Sequence, residues 1–417
     1  MKKLTFLFAF LLALPLCAKK KVTVTPATPA PPKMKVLYKN AHLAIKNNAN
    51  QEPAKAALIQ ALARPELSND DKAKVYYTCA LLAQSNNAVQ NQRAYLKQMT
   101  KPEDSIALFN TILDMYRHIQ HCDSFDAIPN SRGHVSLKYK KKTQTLMQRH
   151  RPNLLTGGKF FLKRKDYANA YNFLDMYMST STDTTETDYN RVSYWATISA
   201  YNTNQTLNTL KYSVHAITFA DAEYKPILQE YRVRCYQKLK SNEAYLRELQ
   251  VGVNQYPNYD FFFVNLTDLY YLQKKYDEGL ALADSLISLN GDKAMYWYAK
   301  GLMYLGKQEF EKCIVYSDSC ISRDPKYVDA FFNKGIAYCN LALVAQENAS
   351  KNMSDSKWIE DQKKIQDLYQ LAKPCMEMVR TLQPENKERW GRPLYRIYLY
   401  LNMGKEFDEI DKLLKAQ

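Results

Sequence analysis

Glycine is scarce in this chain, with 11 residues in 417. Few glycines, together with short apolar bursts at helical spacing, predict helix packed on helix and exclude sheets joined by tight turns. No Gly-rich phosphate loop, HExxH, GxSxG or EF-hand loop occurs, and no CxxC either. These absences leave no ground for expecting an enzyme, a cofactor or a resident metal. Beyond the first residues there is no apolar run long enough to predict a transmembrane helix. Acidic residues are in deficit, and the formal net charge is +16.

The beginning of the chain stands apart. Lys2 and Lys3 precede the apolar run Leu4–Leu16, and Cys17-Ala18 follow before Lys19. A basic start, a run too short to span a bilayer comfortably and small residues at its end predict a signal peptide over 1–18. Cys17 raises the alternative of a lipoprotein. Leu16 is bulky where lipoprotein signals carry a small residue, so soluble export to the periplasm or envelope ranks first. Residues 19–33, containing "VTVTPATPAPPK", predict an extended tether without structure of its own.

Removing Lys2 and Lys3 takes the charge from +16 to +14. The densest basic run is "KYKKKTQTLMQRHR", 138–151. Its plain reading is a solvated helix face. Its functional reading is binding of an anionic envelope polymer, since an exported protein rarely meets nucleic acid.

An internal period is present. Phe263, Trp297 and Phe331 stand 34 apart, as do Tyr236, Tyr270, Tyr304 and Tyr338. Gly301 matches Gly335, Tyr276 matches Phe310, and Gly279 matches Cys313. Pro257 and Pro325 lie two periods apart. A repeat of this length signals a stacked array of helix pairs. Trp297, Gly301 and Tyr304 step by four and three, placing them on one helix face, which is expected to be the core face packed on the second helix of the pair. Phe310, Cys313, Ile314, Ser317 and Cys320 mark the facing helix, and Asp324-Pro325 ends it.

The order of large aromatic, small residue, Tyr, small residue and closing Pro resembles the tetratricopeptide repeat (TPR). The resemblance implies an all-α, right-handed α-solenoid, here of about ten helix pairs. It also implies that first helices line a concave surface that binds proteins or peptides. Units are predicted from near 151, 192, 226, 260, 294 and 328, giving a regular array over 151–339. The polar stretch 179–188 is read as a surface loop. The segment 34–150 reads as divergent pairs: 34–63 with Pro53 opening the second helix, 73–101 as two helices, and a helix from Ile106 to His118 followed by an extended loop. A helical insertion is expected at 340–367, with Pro374 kinking the following helix, and a capping pair at 368–417. The closing "PENKERWGRPLYRIYLYLNMGKEFDEIDKLL" is similar to the last repeat of exported TPR proteins of Bacteroidetes.

Two clusters could carry chemistry. Cys313 and Cys320 are seven residues apart, about 10 Å on a helix, beyond the reach of a disulfide. They are read as small buried packing residues. His118, His121 and Cys122 have metal-ligand spacing if helical, but no fourth ligand is evident and the helix is expected to end there. The expected function is therefore a non-enzymatic scaffold for a protein or peptide partner. Tyr298 lies about 100° round from Trp297 and so points to the groove. Phe332 is its equivalent one repeat later, and Tyr271 follows Tyr270 in the same way one repeat earlier. These three aromatics are the candidate partner-binding residues; the alternative is that they pack against adjacent repeats, since each repeat must bury its flanks on its neighbours. One expectation follows for the beginning of the chain: N-terminal sequencing of the exported protein starts at or near Lys19, and a lipid-blocked terminus at Cys17 would defeat that reading.

Overall fold

The computed structural model describes residues 31–415 except 131, 136, 182–186 and 355. The expected signal peptide, the tether as far as residue 30 and the middle of the 179–188 stretch lie outside the described residues. Among the described residues all regular structure is helical, in eighteen helices or nine pairs, close to the ten expected. No helix among them is long and apolar enough to cross a membrane. The chain divides into two compact units, the first ending at Thr156 and the second running Gly157–Gln417.

In the first unit, α1 (Met34–Lys46) and α2 (Glu52–Ala61) form the expected pair, with Pro53 in the first turn of α2. Proline is tolerated there because that N–H would lack a helical partner anyway. The next expectation is corrected. Residues 73–101 are not two helices; α3 (Asn69–Tyr95) is continuous. A capping box between Ser68 and Asp71 starts it, and neither Gly nor Pro interrupts it. Its polar middle survives because Asn87, buried, donates from Nδ2 to Thr111 Oγ1 at 2.8 Å. That partner lies on α4 (Pro102–Asp126), which also runs longer than expected. The helix continues through His121 and Cys122 because its last acids anchor the next element. Asp126 Oδ2 accepts from Tyr139 N at 2.7 Å, and Asp123 Oδ1 accepts from Thr143 Oγ1 at 2.7 Å. Only after Asp126 does the chain leave helix, before α5 (Lys140–Lys163), which continues through Pro152 and across the expected boundary at 151.

The second unit follows the predicted period closely. After α6 (Tyr167–Ser179) come α7 (Thr187–Asn202), α8 (Thr206–Phe219), α9 (Lys225–Lys238) and α10 (Asn242–Gln255). Next are α11 (Asp260–Leu272), α12 (Tyr276–Leu289), α13 (Ala294–Gly306) and α14 (Phe310–Ile321). The insertion forms α15 (Val328–Asn348) and α16 (Ser356–Leu382), which continues through Pro374, and α17 (Lys387–Tyr400) and α18 (Gly404–Lys415) close the chain. From α6 onward each helix packs on the next, which makes this unit an α-solenoid.

The turns inside the pairs explain how so few glycines suffice. Lys240, Lys274 and Gln308, 34 apart, take left-handed backbone with φ of 54°, 56° and 62°. The following N–H groups, of Ser241, Lys275 and Glu309, reach back to the carbonyls of Tyr236, Tyr270 and Tyr304 at 3.0, 2.8 and 3.0 Å. This closure satisfies helix-end carbonyls that would otherwise lack partners. Two ion pairs repeat with the same period: Lys300 Nζ to Asp284 Oδ1 at 2.6 Å and Lys334 Nζ to Asp318 Oδ1 at 2.5 Å.

The core lies partly on a different flank from the one predicted. Gly301 is buried as expected, and a Cβ there would stand 3.2 Å from Ser317 Oγ. Trp297 and Tyr304, however, are only half-buried and lie on either side of Tyr316, at ring separations of 6.2 and 5.2 Å. The fully covered residues of α13 are Tyr296, Ala299 and Met303. They face the preceding pair, with Tyr296 4.8 Å from Phe263 and Met303 Sδ 2.6 Å from where a Cβ on Gly279 would stand. A first helix has to cover two flanks, one within its pair and one against the previous pair, and the second is the drier here. Tyr296→Ala is therefore expected to cost about 3–5 kcal/mol, the range for truncating a large buried side chain. Tyr304→Ala should cost less than half of that. Urea denaturation of the two variants checks the order; equal losses would restore the predicted flank.

Candidate functional site

The first helices of successive pairs touch one another directly, α11 with α13, α13 with α15 and α15 with α17. The residues that project from this row are set by the 34-residue register. Tyr298 and Phe332 hold equivalent places, as predicted. The register assigns that place on α11 to Val264 (298 − 34), which is 44% exposed. Tyr271 is instead the counterpart of Leu305 (305 − 34). It is partly buried, 5.8 Å from Tyr276 and beside Gly306, and packs against the α11–α13 core.

Tyr298 is half-buried, its ring 5.1 Å from that of Tyr327. Burial first, then the charges of Asp329 and Asp268, drive its phenol well above the ordinary range. Asn333 and Arg389 complete its surroundings. Phe332 lies beneath the Arg389 guanidinium at 4.5 Å and packs against the apolar cluster of α15–α18. Arg389 also pairs with Asp329 Oδ1 at 2.6 Å. Three first helices thus contribute to one cluster, Tyr298 from α13, Asp329, Phe332 and Asn333 from α15, and Arg389 from α17, and the Asp268 charge on α11 acts on Tyr298. Farther along the row, Glu230 on α9 pairs with Arg234 at 2.7 Å and accepts from the Tyr259 hydroxyl at 2.5 Å.

Asp268 has no ion-pair partner among the described residues, and Asn333 Nδ2 has only a poorly aligned hydrogen-bond partner in Tyr298. Asp268 is open to solvent yet surrounded by protein, and this crowding, followed by the Asp329 charge, raises its pKa. Asn333 is 4% exposed, and its Nδ2 has no hydrogen-bond partner in good geometry although it lies next to the Tyr298 hydroxyl. A buried donor in this condition is costly unless something supplies an acceptor. Sequence reasoning named Tyr298 and Phe332 as groove residues; both are half-buried, Tyr298 against Tyr327 and Phe332 against Arg389 and the α15–α18 cluster. It missed Asp268, which a four-residue step from Val264 along the same helix face would have found. Arg389 had no sequence signal, because the long α15–α16 insertion separates it from the regular register.

The remaining sequence candidates do not gather into a site. Cys313 and Cys320 are fully buried and free, and burial pushes each thiol up to about 12. Cys313 Sγ lies 3.7 Å from the Asn333 carbonyl, so the pair fills space as expected. His118, His121 and Cys122 all lie on α4. His121 stacks on Tyr76 at 4.9 Å, His118 Nε2 lies 3.8 Å from Asp114, and Cys122 packs with Ala73 and Tyr139. Among the described residues no three His, Cys, Asp or Glu side chains are placed to hold a metal. In the basic segment, Lys140 pairs with Asp123 at 3.6 Å and Lys142 lies over the rings of Tyr77 and Tyr139, while Lys141 and Arg149 are exposed.

The raised pKa of Asp268 has a consequence for stability. A carboxyl whose folded pKa exceeds its unfolded value is harder to ionise in the fold, so ionisation weakens the fold above the unfolded pKa and this penalty fades as pH falls. Asp268→Asn is expected to leave the melting temperature at pH 7 unchanged or slightly higher. In carboxyl-detected NMR, Asp268 should titrate above the usual aspartate range and move down in Asp329→Asn. A fall in melting temperature, or no response to Asp329→Asn, would refute this account of the cluster.

No family model and no curated protein matches the chain. Solved structures do resemble it. The C-terminal part of a TPR repeat-containing protein from Cytophaga hutchinsonii is 13% identical, covers 62% of this chain and 93% of its own length, and has a TM-score of 0.44. A TPR protein from Parabacteroides merdae is 15% identical over 64% of this chain and 98% of its own, with a TM-score of 0.36. A TPR repeats protein from Bacteroides fragilis is 16% identical over 63% and 98%, with a TM-score of 0.31. The helix pairs of this chain that repeat every 34 residues, with an aromatic, a glycine and a tyrosine on the first helices α13 and α15, are similar to those of TPR repeat proteins.

Proposed function

We propose that this chain is a non-enzymatic scaffold that binds a protein or peptide partner along the first helices α9–α17, in the periplasm or at the cell envelope. The observation that carries the reading is the row itself. Adjacent first helices hold Val264, Tyr298 and Phe332 at one register, with the exposed carboxylate of Asp268 one helical turn after Val264. Aromatic side chains in partly covered positions are the usual anchors of protein interfaces. The beginning of the chain, with Lys2, Lys3 and the apolar run to Leu16, supports export.

A second reading, binding of an anionic envelope polymer by 138–151, rests on the exposure of Lys141 and Arg149. It ranks behind, because Lys140 and Lys142 already serve Asp123 and two tyrosine rings in the first unit. Salt separates the two: polymer binding falls steeply with ionic strength, whereas aromatic anchoring changes little.

A photo-crosslinking residue placed at Val264 should capture a discrete envelope protein in intact cells. The same residue at Leu289, 71% exposed at the end of the second helix α12, should not. Added Tyr298→Ala should reduce the yield at 264 about tenfold, the order expected for losing an aromatic anchor. Equal capture from both positions would overturn the proposed binding face.

A further inference from the structure

We propose that the cavity at the start of α7 binds a neutral saccharide unit, whose C–H face meets the aromatic rings of the cavity and whose hydroxyls meet Asn190, Arg191 and Asp221. The inference goes beyond the reading above and does not rest on it, since α7 lies outside the row α9–α17.

The cavity has a volume of about 490 Å³, which is in the range of small-molecule sites. It lies wholly within the second unit, between the beginning of α7 and the connection from α8 to α9. Thr187, Asn190, Arg191 and Tyr194 line it from one side, at the spacing that puts them on a single face of α7. Its aromatic wall includes Tyr194 and Tyr224, with rings 5.1 Å apart, and the half-buried Trp195. Asn190 is held in place from behind. Its Oδ1 lies 2.7 Å from His215 Nε2, and the His215 ring is packed 4.8 Å from Tyr189 and 4.6 Å from Phe219. Burial lowers the His215 pKa, so the ring is neutral at pH 7, and its Nε2–H donates to the amide oxygen. An amide anchored through its oxygen keeps its Nδ2 donors for a ligand.

The charges decide the class of ligand. Arg191 and Asp221, of opposite sign, line the same cavity. The charges next to it are mixed as well: Asp188 lies 3.9 Å from Arg191, and Lys159 Nζ lies 5.5 Å from the centre of the Trp195 ring. A cation would meet Arg191 and Lys159, and an anion would meet Asp188 and Asp221. A purely apolar ligand would strip water from Asn190, Arg191 and Asp221 and return no hydrogen bond. An uncharged molecule with an apolar face and a rim of groups that both donate and accept fits all of these residues. A pyranose ring has that form. Its C–H face is weakly positive and suits the negative face of an aromatic ring. Its hydroxyls accept from Asn190 Nδ2 and Arg191 and donate to the Asp221 carboxylate.

The test uses the full chain labelled with ¹⁵N-tryptophan and follows its four indole N–H signals by two-dimensional NMR. Trp195→Phe identifies the Trp195 signal. The probes are glucose, xylose and N-acetylglucosamine, together with maltotetraose, cellotetraose, xylotetraose and chitotetraose. The expected result is a saturable shift of the Trp195 signal with at least one sugar, while buried Trp390 does not move. Tighter binding of a tetrasaccharide than of its monosaccharide identifies a glycan chain as the source; equal binding identifies a free sugar. Asn190→Asp keeps the acceptor for His215 and removes the donor, and Asp221→Ala removes an exposed acceptor. Each should weaken binding about tenfold, the order for losing a hydrogen bond that involves a charged group or an oriented donor, and leave the melting temperature unchanged. No saturable shift of Trp195 with any of the sugars, or an affinity unchanged in both variants, would overturn the inference and leave the reading of the α9–α17 row in place.

Discussion

A helix pair of this size cannot bury its apolar surface alone. Each pair exposes a flank that only the next pair can cover, and the rest of the second unit depends on that covering contact. Tyr296 is dry because Phe263 lies against it, and Met303 is dry because Gly279 leaves room for it. The requirement propagates. Any residue that alters the spacing between two pairs alters the one interface each of them has on that side. This explains why glycine, so rare overall, is retained at seams, while the turns use lysine and glutamine in left-handed backbone. A left-handed turn residue costs a modest amount of energy locally. An extra methyl at Gly279 would instead push on the Met303 side chain across a closed interface.

The same stacking creates the binding face. Because first helices lie beside first helices, residues 34 apart in sequence become neighbours in a row, and one helix face becomes a surface several pairs long. Repeating ion pairs, Lys300 with Asp284 and Lys334 with Asp318, neutralise the charges that stacking brings together. Asp268 departs from this pattern of pairing. It is exposed and without an ion pair, and partial desolvation together with the Asp329 charge opposes its ionisation.

The first unit obeys other constraints. Its helices α3 and α4 are long, and polar side chains join them: Asn87 with Thr111 between the two helices, and Asp123 and Asp126 at the point where α5 begins. The apparent loop residues "HCDSFD" are helical because those acids have donors waiting at Tyr139 and Thr143. Periodicity of apolar residues does not reveal such partners, since the donors lie more than a dozen residues away and carry no apolar signal.

By itself the sequence determined the all-α class, the 34-residue pairing from α9 to α15, the packing role of Cys313 and Cys320, and the shared register of Tyr298 and Phe332. All of these follow from spacing along one helix or between adjacent helices, where covalent connection sets the geometry. Tertiary structure alone decided that Tyr296 is drier than Trp297, that α3 is unbroken, that Tyr271 packs against the α11–α13 core, and that Asp329, Asn333 and Arg389 gather near Tyr298. Those outcomes depend on which surfaces of different helices come into contact. A residue's burial is a property of its neighbours, and its neighbours here are brought from as far as α11 and α17 by the stacking of whole pairs.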